Sequence, residues 1–183
     1  MKKIIVMALC FASCRQQVKK ETDPWPASFG FGRIATQEEI ARLHIDIHPD
    51  GKGLPVGEGN AKTGKSIYVA KCATCHGVGK EPDTLQLLGP MLITKNEKTK
   101  LKTIGNYWPY ATTLFDYIRR AMPYNEPGSL TNDEVYHLTA YLLQANKVIS
   151  ENTVITEKTL ATIKMPAHDR FIDDDRRGGN EVR

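Results

Sequence analysis

Residues 71–79 read KCATCHGVG, with Cys72 and Cys75 three positions apart and His76 directly after the second thiol. At this spacing two thiols can add across the two vinyl groups of one haem while the adjoining imidazole reaches its iron. A zinc site would need a second ligand pair of similar kind. The chain has four cysteines, and the other two, Cys10 and Cys14, lie far upstream in a segment with the marks of an export signal. A thioredoxin-like CxxC would sit in a βαβ frame, and no such alternation is visible. The motif therefore predicts one covalent haem c on Cys72 and Cys75, with His76 as an iron ligand.

Outward from the motif, 183 residues leave room for one core with extensions. The formal net charge of +4 is mild, and no Lys/Arg block forms the patch that nucleic acid would need. The N-terminus is more telling. MKKIIVMALCFASC opens on Lys2 and Lys3, continues in an apolar run from Ile4 to Phe11, and is too short to span a membrane as a helix. Ala12 and Ser13 before Cys14 resemble a bacterial lipobox, in which the cysteine is acylated and becomes the mature N-terminus; Phe11 stands where an aliphatic residue is usual. Loss of Lys2 and Lys3 takes the charge from +4 to +2. The expected location is the periplasmic side of a bacterial membrane, with a lipid anchor on Cys14. With Cys72 and Cys75 on haem and Cys14 on lipid, no disulfide pair remains.

After the signal and Cys14 (1–14), residues 15–30 are polar, contain Pro24 and Pro26, and read as a tether. An N-terminal extension follows over 31–56. In it ATQEEIARL predicts a short helix with Thr36 as N-cap and Glu39 completing a capping box; HIDIH alternates as an extended segment, and PDGKGLPVGEG is turn chemistry. The haem domain spans 57–147. Asn60 is placed to cap a helix bearing Gly64, Ile67, Tyr68 and Lys71 near one face. TTLFDYIRRAM predicts a second helix with Thr113 as cap and Asp116 at its third position, stopped by Pro123. TNDEVYHLTAYLLQAN is the clearest helix. Thr131 and Glu134 form its capping box, Leu130 and Val135 a staple, and Val135, Leu138, Leu142 and Ala145 its buried face. A C-terminal extension occupies 148–183. Neither extension has enough apolar residues for a core of its own, so both are expected to wrap the helical domain.

The iron's second axial position decides the chemistry. A thioether there favours ferrous iron and gives a closed electron-transfer site, whereas an open position permits ligand chemistry. Met91, Met122 and Met165 are the candidates outside the signal. The order CxxCH, Gly89-Pro90, Met122-Pro123 and a terminal helix resembles class I cytochrome c. That resemblance implies an all-α fold, Met122 as the sixth ligand, and Pro90 beside the proximal histidine. It also implies a crossing of the first and last helices in which Gly64 and Tyr68 meet Tyr141 or Leu142, and haem attachment outside the cytoplasmic membrane.

A narrower resemblance covers nearly the whole mature chain. GRIATQEEIARLHIDIHPDGKGLPVGEG, TIGNYWPYATTLFDYIRRAMP, SLTNDEVYHLTAYLL and IKMPAHDRF are similar to the cytochrome subunits of molybdenum sulfite or sulfane dehydrogenases. His44, Ala167 and His168 stand where that family has an aspartate and an asparagine-arginine pair, all in the extensions. The implied function is single-electron transfer from such a dehydrogenase to an oxidase or another carrier, without catalysis by this chain itself. The alternative is a haem enzyme with an open sixth site, peroxidase-like or gas-binding. Tyr107, Trp108 and Arg119 are further candidates for haem contact, the aromatic pair by shielding an edge and the arginine by neutralising a propionate. His44, His48, His137 and His168 have no motif around them and read as surface or capping residues.

Overall fold

The structure, a computed structural model, describes residues 29–81, 85–94 and 101–172. The signal, Cys14, most of the tether and the charged end from 173 lie outside the described residues. The chain divides into two compact units, Met1–Thr36 and Gln37–Arg183. Of the first, residues 29–36 are irregular, and Phe31 and Ile34 are exposed.

The second unit is built on the crossing of two helices. Helix α2, Ala61–Lys71, starts where the Asn60 side chain accepts the Thr63 N–H at 2.9 Å. Helix α6, Asn132–Ala145, starts on the Thr131/Glu134 capping box expected from the sequence. The two approach so closely at Gly64 that a Cβ there would lie 1.8 Å from the His137 carbonyl oxygen and 2.8 Å from the Tyr141 Cβ. One turn on, Tyr68 and Tyr141 pack with ring centroids 5.1 Å apart. His137 accepts the Asn60 N–H on Nδ1 at 2.9 Å and so joins the start of α2 to the middle of α6.

Helix α5, Ala111–Ala121, differs from its expected start. Tyr110, not Thr113, is the N-cap, and Thr113 lies exposed inside the first turn. The reason is tertiary: Tyr110 forms an antiparallel bridge with Lys164, which holds it extended and lets the helix begin one residue later. Asp116 consequently does no capping. It accepts the Ile47 N–H at 3.2 Å and pairs with Arg120 at 2.7 Å. Leu114, Phe115 and Ile118 point into the core.

The first helix, α1, Gln37–Leu43, follows Thr36 directly but buries no side chain, and Ile40 and Leu43 are exposed. The HIDIH alternation holds: Ile45 and Ile47 are partly buried between exposed His44, Asp46 and His48. Two short helices complete the α-helices of the described residues, α3 at Ala73–His76 and α4 at Ile104–Tyr107.

The fold is mainly helical, with one addition. Strand β1, Glu58–Asn60, pairs antiparallel with β2, Val154–Thr156, placing Gly59 opposite Ile155. Three residues per strand are too few to show alternation in a sequence. The C-terminal extension sends Ile155, Leu160, Met165 and Ala167 into the interior, and the first three join the same apolar cluster as the helices. Each large apolar side chain buried this way contributes about 1.5–3 kcal/mol.

Two measurements check this frame. Gly64→Ala should destabilise the protein by at least about 3 kcal/mol in chemical denaturation, since backbone rather than a flexible side chain occupies the added methyl's place. Thr131→Ala should cost about 1 kcal/mol through the lost cap. The Glu134 carboxyl is held below its usual range, first by the hydrogen bond from Lys71 and then by the Thr131 N–H. Its contribution is therefore full above the ordinary carboxylate pKa and is lost as pH falls through the lower folded-state value. Glu134→Gln should flatten that acid-side slope.

Candidate haem site

Helix α2 ends at Lys71, and Cys72 breaks it with φ −125° and ψ −36° before α3 carries Cys75 and His76. The turn is anchored from several directions. Tyr68, fully buried, donates its hydroxyl to the Gly77 carbonyl at 2.7 Å, and burial pushes its phenol well above the ordinary range. Glu81 folds back to accept the Val78 N–H at 2.6 Å and the Lys80 N–H at 3.0 Å, and these backbone bonds lower its pKa. The helix crossing thus reaches the motif through one hydrogen bond.

His76 donates Nδ1–H to the Pro90 carbonyl at 2.7 Å. This fixes the tautomer: Nε2 keeps the lone pair that can bind a metal, and the acceptor raises the ring's donor strength. Gly89 supplies the space, because a Cβ there would lie 2.7 Å from the His76 Cε1. Cys72 is partly buried, and burial pushes its thiol up to about 11.

These groups line a cavity of about 570 Å³. Cys72, Cys75, His76 and Pro90 are on its wall together with Met122, and Leu138 and Leu142 of α6 lie behind them. Met122 is the C-cap of α5, its extended conformation turning the chain out of the helix into Pro123. Leu88 and Tyr124, 84% and 88% exposed, also border the cavity. A smaller cavity of about 160 Å³ shares His76, Pro90 and Met122 and adds Met91, Lys102, Trp108 and Tyr117. The Trp108 and Tyr117 rings meet edge to face at 5.8 Å.

The structure therefore brings Cys72, Cys75, His76, Pro90 and Met122 together, with Trp108 in the adjoining cavity. Tyr107 and Arg119 line neither of these two cavities. Tyr107 packs edge to face on Phe171 at 5.8 Å, under the Lys102 ammonium. Arg119 lies close enough to Tyr136 for its charge to act on that phenol, on the side where Tyr136 donates to the Pro55 carbonyl. Lys102 and Tyr117 line the smaller cavity, and no sequence pattern singled them out; a cation directly before the Thr103 cap of α4 was the available signal. Met165 is buried core, and Met91 follows the proline that holds His76. Among the described residues no group of three or more His, Cys, Asp or Glu side chains is placed to hold a bare metal ion.

The family model for cytochrome c matches residues 61–146. A chain of the sulfane dehydrogenase SoxCD from Paracoccus pantotrophus is 34% identical, with a TM-score of 0.68, the likeness covering 81% of this chain and 74% of that one. The chain belongs to the cytochrome c family. Within it, this chain is a class I c-type cytochrome that resembles the cytochrome subunit of such dehydrogenases. Two more distant relatives are photosystem II extrinsic protein V of Microcystis aeruginosa and of Parasynechococcus marenigrum. The first is 25% identical over 58% of this chain and 87% of its own length. The second is 26% identical over 78% of this chain and 93% of its own length.

The residues of this cytochrome fit the covalent haem c that its family implies. The cavity is apolar and of cofactor size, two thiols and a tautomer-fixed imidazole share its wall, and a glycine leaves room for the ring. Cys72 and Cys75 would form the thioethers, and His76 would offer Nε2 to iron. When bound, the haem supplies one-electron chemistry by cycling between ferrous and ferric iron. Replacing both thiols, Cys72→Ser with Cys75→Ser, should abolish haem staining on a denaturing gel, and each single replacement should leave at most one thioether. Full covalent staining of the double variant would remove the assignment.

Proposed function

We propose that this protein is a monohaem cytochrome that relays single electrons from a molybdenum sulfite or sulfane dehydrogenase to a further carrier or oxidase. The observation that carries the reading is the cavity wall shared by His76 and Met122, each held by its own backbone geometry. His76 and Met122 would both hold the haem iron, and a thioether ligand would close the site to external ligands and favour the ferrous state. A single CxxCH motif accounts for one haem. Lys102 and Trp108 line the smaller cavity beside His76, which supports them over Tyr107 and Arg119 as contacts of the haem propionates. Exposed Leu88 and Tyr124 on the cavity border support this rim as the edge through which electrons would pass.

The donor class is supported by the extent of the likeness to the SoxCD chain. It covers 81% of this protein, whereas the matched family region 61–146 is under half of it, so the extensions share in the resemblance. An extracytoplasmic location agrees with the relatives' setting, and acylation of Cys14 would tether the protein to the periplasmic side of a membrane. Among the described residues no helix is long and apolar enough to cross one.

Met122→Ala decides between relay and open-site enzyme. The parent's ferric form should show the weak far-red band of a methionine–iron bond, and the variant should lose it. Its potential should fall by at least one tenfold step in equilibrium constant, about 59 mV for one electron. Met91→Ala and Met165→Ala should leave band and potential nearly unchanged. A parent that lacks the band and binds cyanide or carbon monoxide rapidly would overturn the relay. Stopped-flow reduction by candidate molybdenum dehydrogenases, read at the haem absorbance, tests the donor separately.

A further inference from the structure

We propose that Asn146 is a positioning residue for the proximal histidine, its side-chain amide fixing the Pro90–Thr94 backbone that holds the His76 ring. The inference rests on the reading of His76 as an iron ligand. Asn146 is the C-cap of α6, where its own N–H donates to the Leu142 carbonyl at 3.2 Å. Its side chain does more than end the helix. Oδ1 accepts the Thr94 N–H at 2.7 Å, while Nδ2 donates to the Leu92 carbonyl at 3.1 Å and to the Leu142 carbonyl at 2.8 Å. Both amide protons and the amide oxygen are in use. Toward residues 92 and 94 the side chain presents the donor and acceptor that a neighbouring strand would present, and its third bond returns to α6.

Two residues before Leu92, the Pro90 carbonyl accepts the His76 Nδ1–H. Proline has no N–H through which to be held. Upstream, the Gly89 N–H donates to the Cys75 carbonyl at 2.9 Å. Downstream, the Ile104 N–H reaches the Leu92 carbonyl only at 3.3 Å, and Thr94 and Thr103 join through their hydroxyls. The Asn146 amide is the group that grips this downstream side at both Leu92 and Thr94. It is itself confined from behind, since a Cβ on Gly105 would lie 2.7 Å from its Oδ1. The geometry thus runs from the end of α6 through three backbone residues to the imidazole.

A firm Nδ1–H···O=C bond makes the imidazole a stronger donor and stabilises ferric iron. Loosening Pro90 weakens that bond and should raise the potential, opposite in sign to Met122→Ala. The test uses the full-length, haem-loaded protein with Asn146→Ala, Asn146→Asp and Gly105→Ala. The aspartate keeps an acceptor for Thr94 but turns a carboxylate oxygen toward two carbonyls, and Gly105→Ala displaces the amide without removing it. Each variant should raise the potential by about a threefold change in equilibrium constant, roughly 28 mV at 59 mV per decade. Each should also speed solvent exchange of the His76 Nδ1–H in NMR spectra of the ferrous form, while the methionine–iron band of the ferric form persists. Thr131→Ala, at the other end of α6, should lower stability and move neither readout. Potentials and exchange rates equal to those of Thr131→Ala would overturn the proposal. If Asn146→Ala yields no folded protein, Gly105→Ala decides alone. A parent without covalent haem or the methionine–iron band would instead overturn the reading of the site.

Discussion

The His137 carbonyl oxygen occupies the place where residue 64 would carry a Cβ, and much of the architecture depends on that approach. It brings α2 and α6 to backbone contact, which stacks Tyr68 against Tyr141 and directs the Tyr68 hydroxyl at Gly77. Gly77 directly follows His76. The crossing therefore sets the position of the attachment motif from a distance, and the motif's own residues need only make the local turn. The short ribbon of β1 and β2 is a consequence of the same contact, since β1 enters α2 through Asn60, whose N–H is held by His137.

The part of the cavity wall at Met122 is held by different means. Met122 follows α5, and α5 is tied to the N-terminal extension by the Ile47 N–H to Asp116 and by Arg120 lying between Asp116 and Asp46. The Arg120 ion pairs are solvent-exposed, so each contributes little to stability. Their effect is positional. They fix the last turns of the helix that delivers Met122, while Tyr110 and Lys164 fix its first residue through the C-terminal extension. Both extensions thus act on the helix that ends at Met122, although neither lines the larger cavity.

Legibility followed the range of the determining interaction. The thiol pair with its histidine, the Asn60 cap and the Thr131/Glu134 box are set by residues within a few positions of one another, and each was readable in sequence. Gly64 and Tyr68 became readable through the resemblance, which identifies a crossing that spacing alone does not reveal. The start of α5 was misread because Thr113 has the chemistry of a cap, yet a bridge to Lys164, 54 positions from Tyr110 (164 − 110), overrides it. Tyr107 and Arg119 are haem-contact candidates by residue type alone, and neither lines the two cavities at His76; Tyr107 packs on Phe171 instead. Nothing local in the sequence marks Asn146, because its two decisive bonds go to residues 52 and 54 positions earlier.

The two sides of the site consequently answer to different parts of the chain. On the proximal side, Cys72 to Pro90 lie within one stretch of sequence, and the outside controls on it are the Tyr68 bond, the helix crossing and the end of α6. Met122, in contrast, follows a helix braced by both extensions. Substitution in the extensions therefore acts first on the position of Met122 and less on that of His76. Under the proposed relay, that asymmetry leaves the attachment chemistry constant, while the thioether proposed as the second ligand follows a helix held by both extensions.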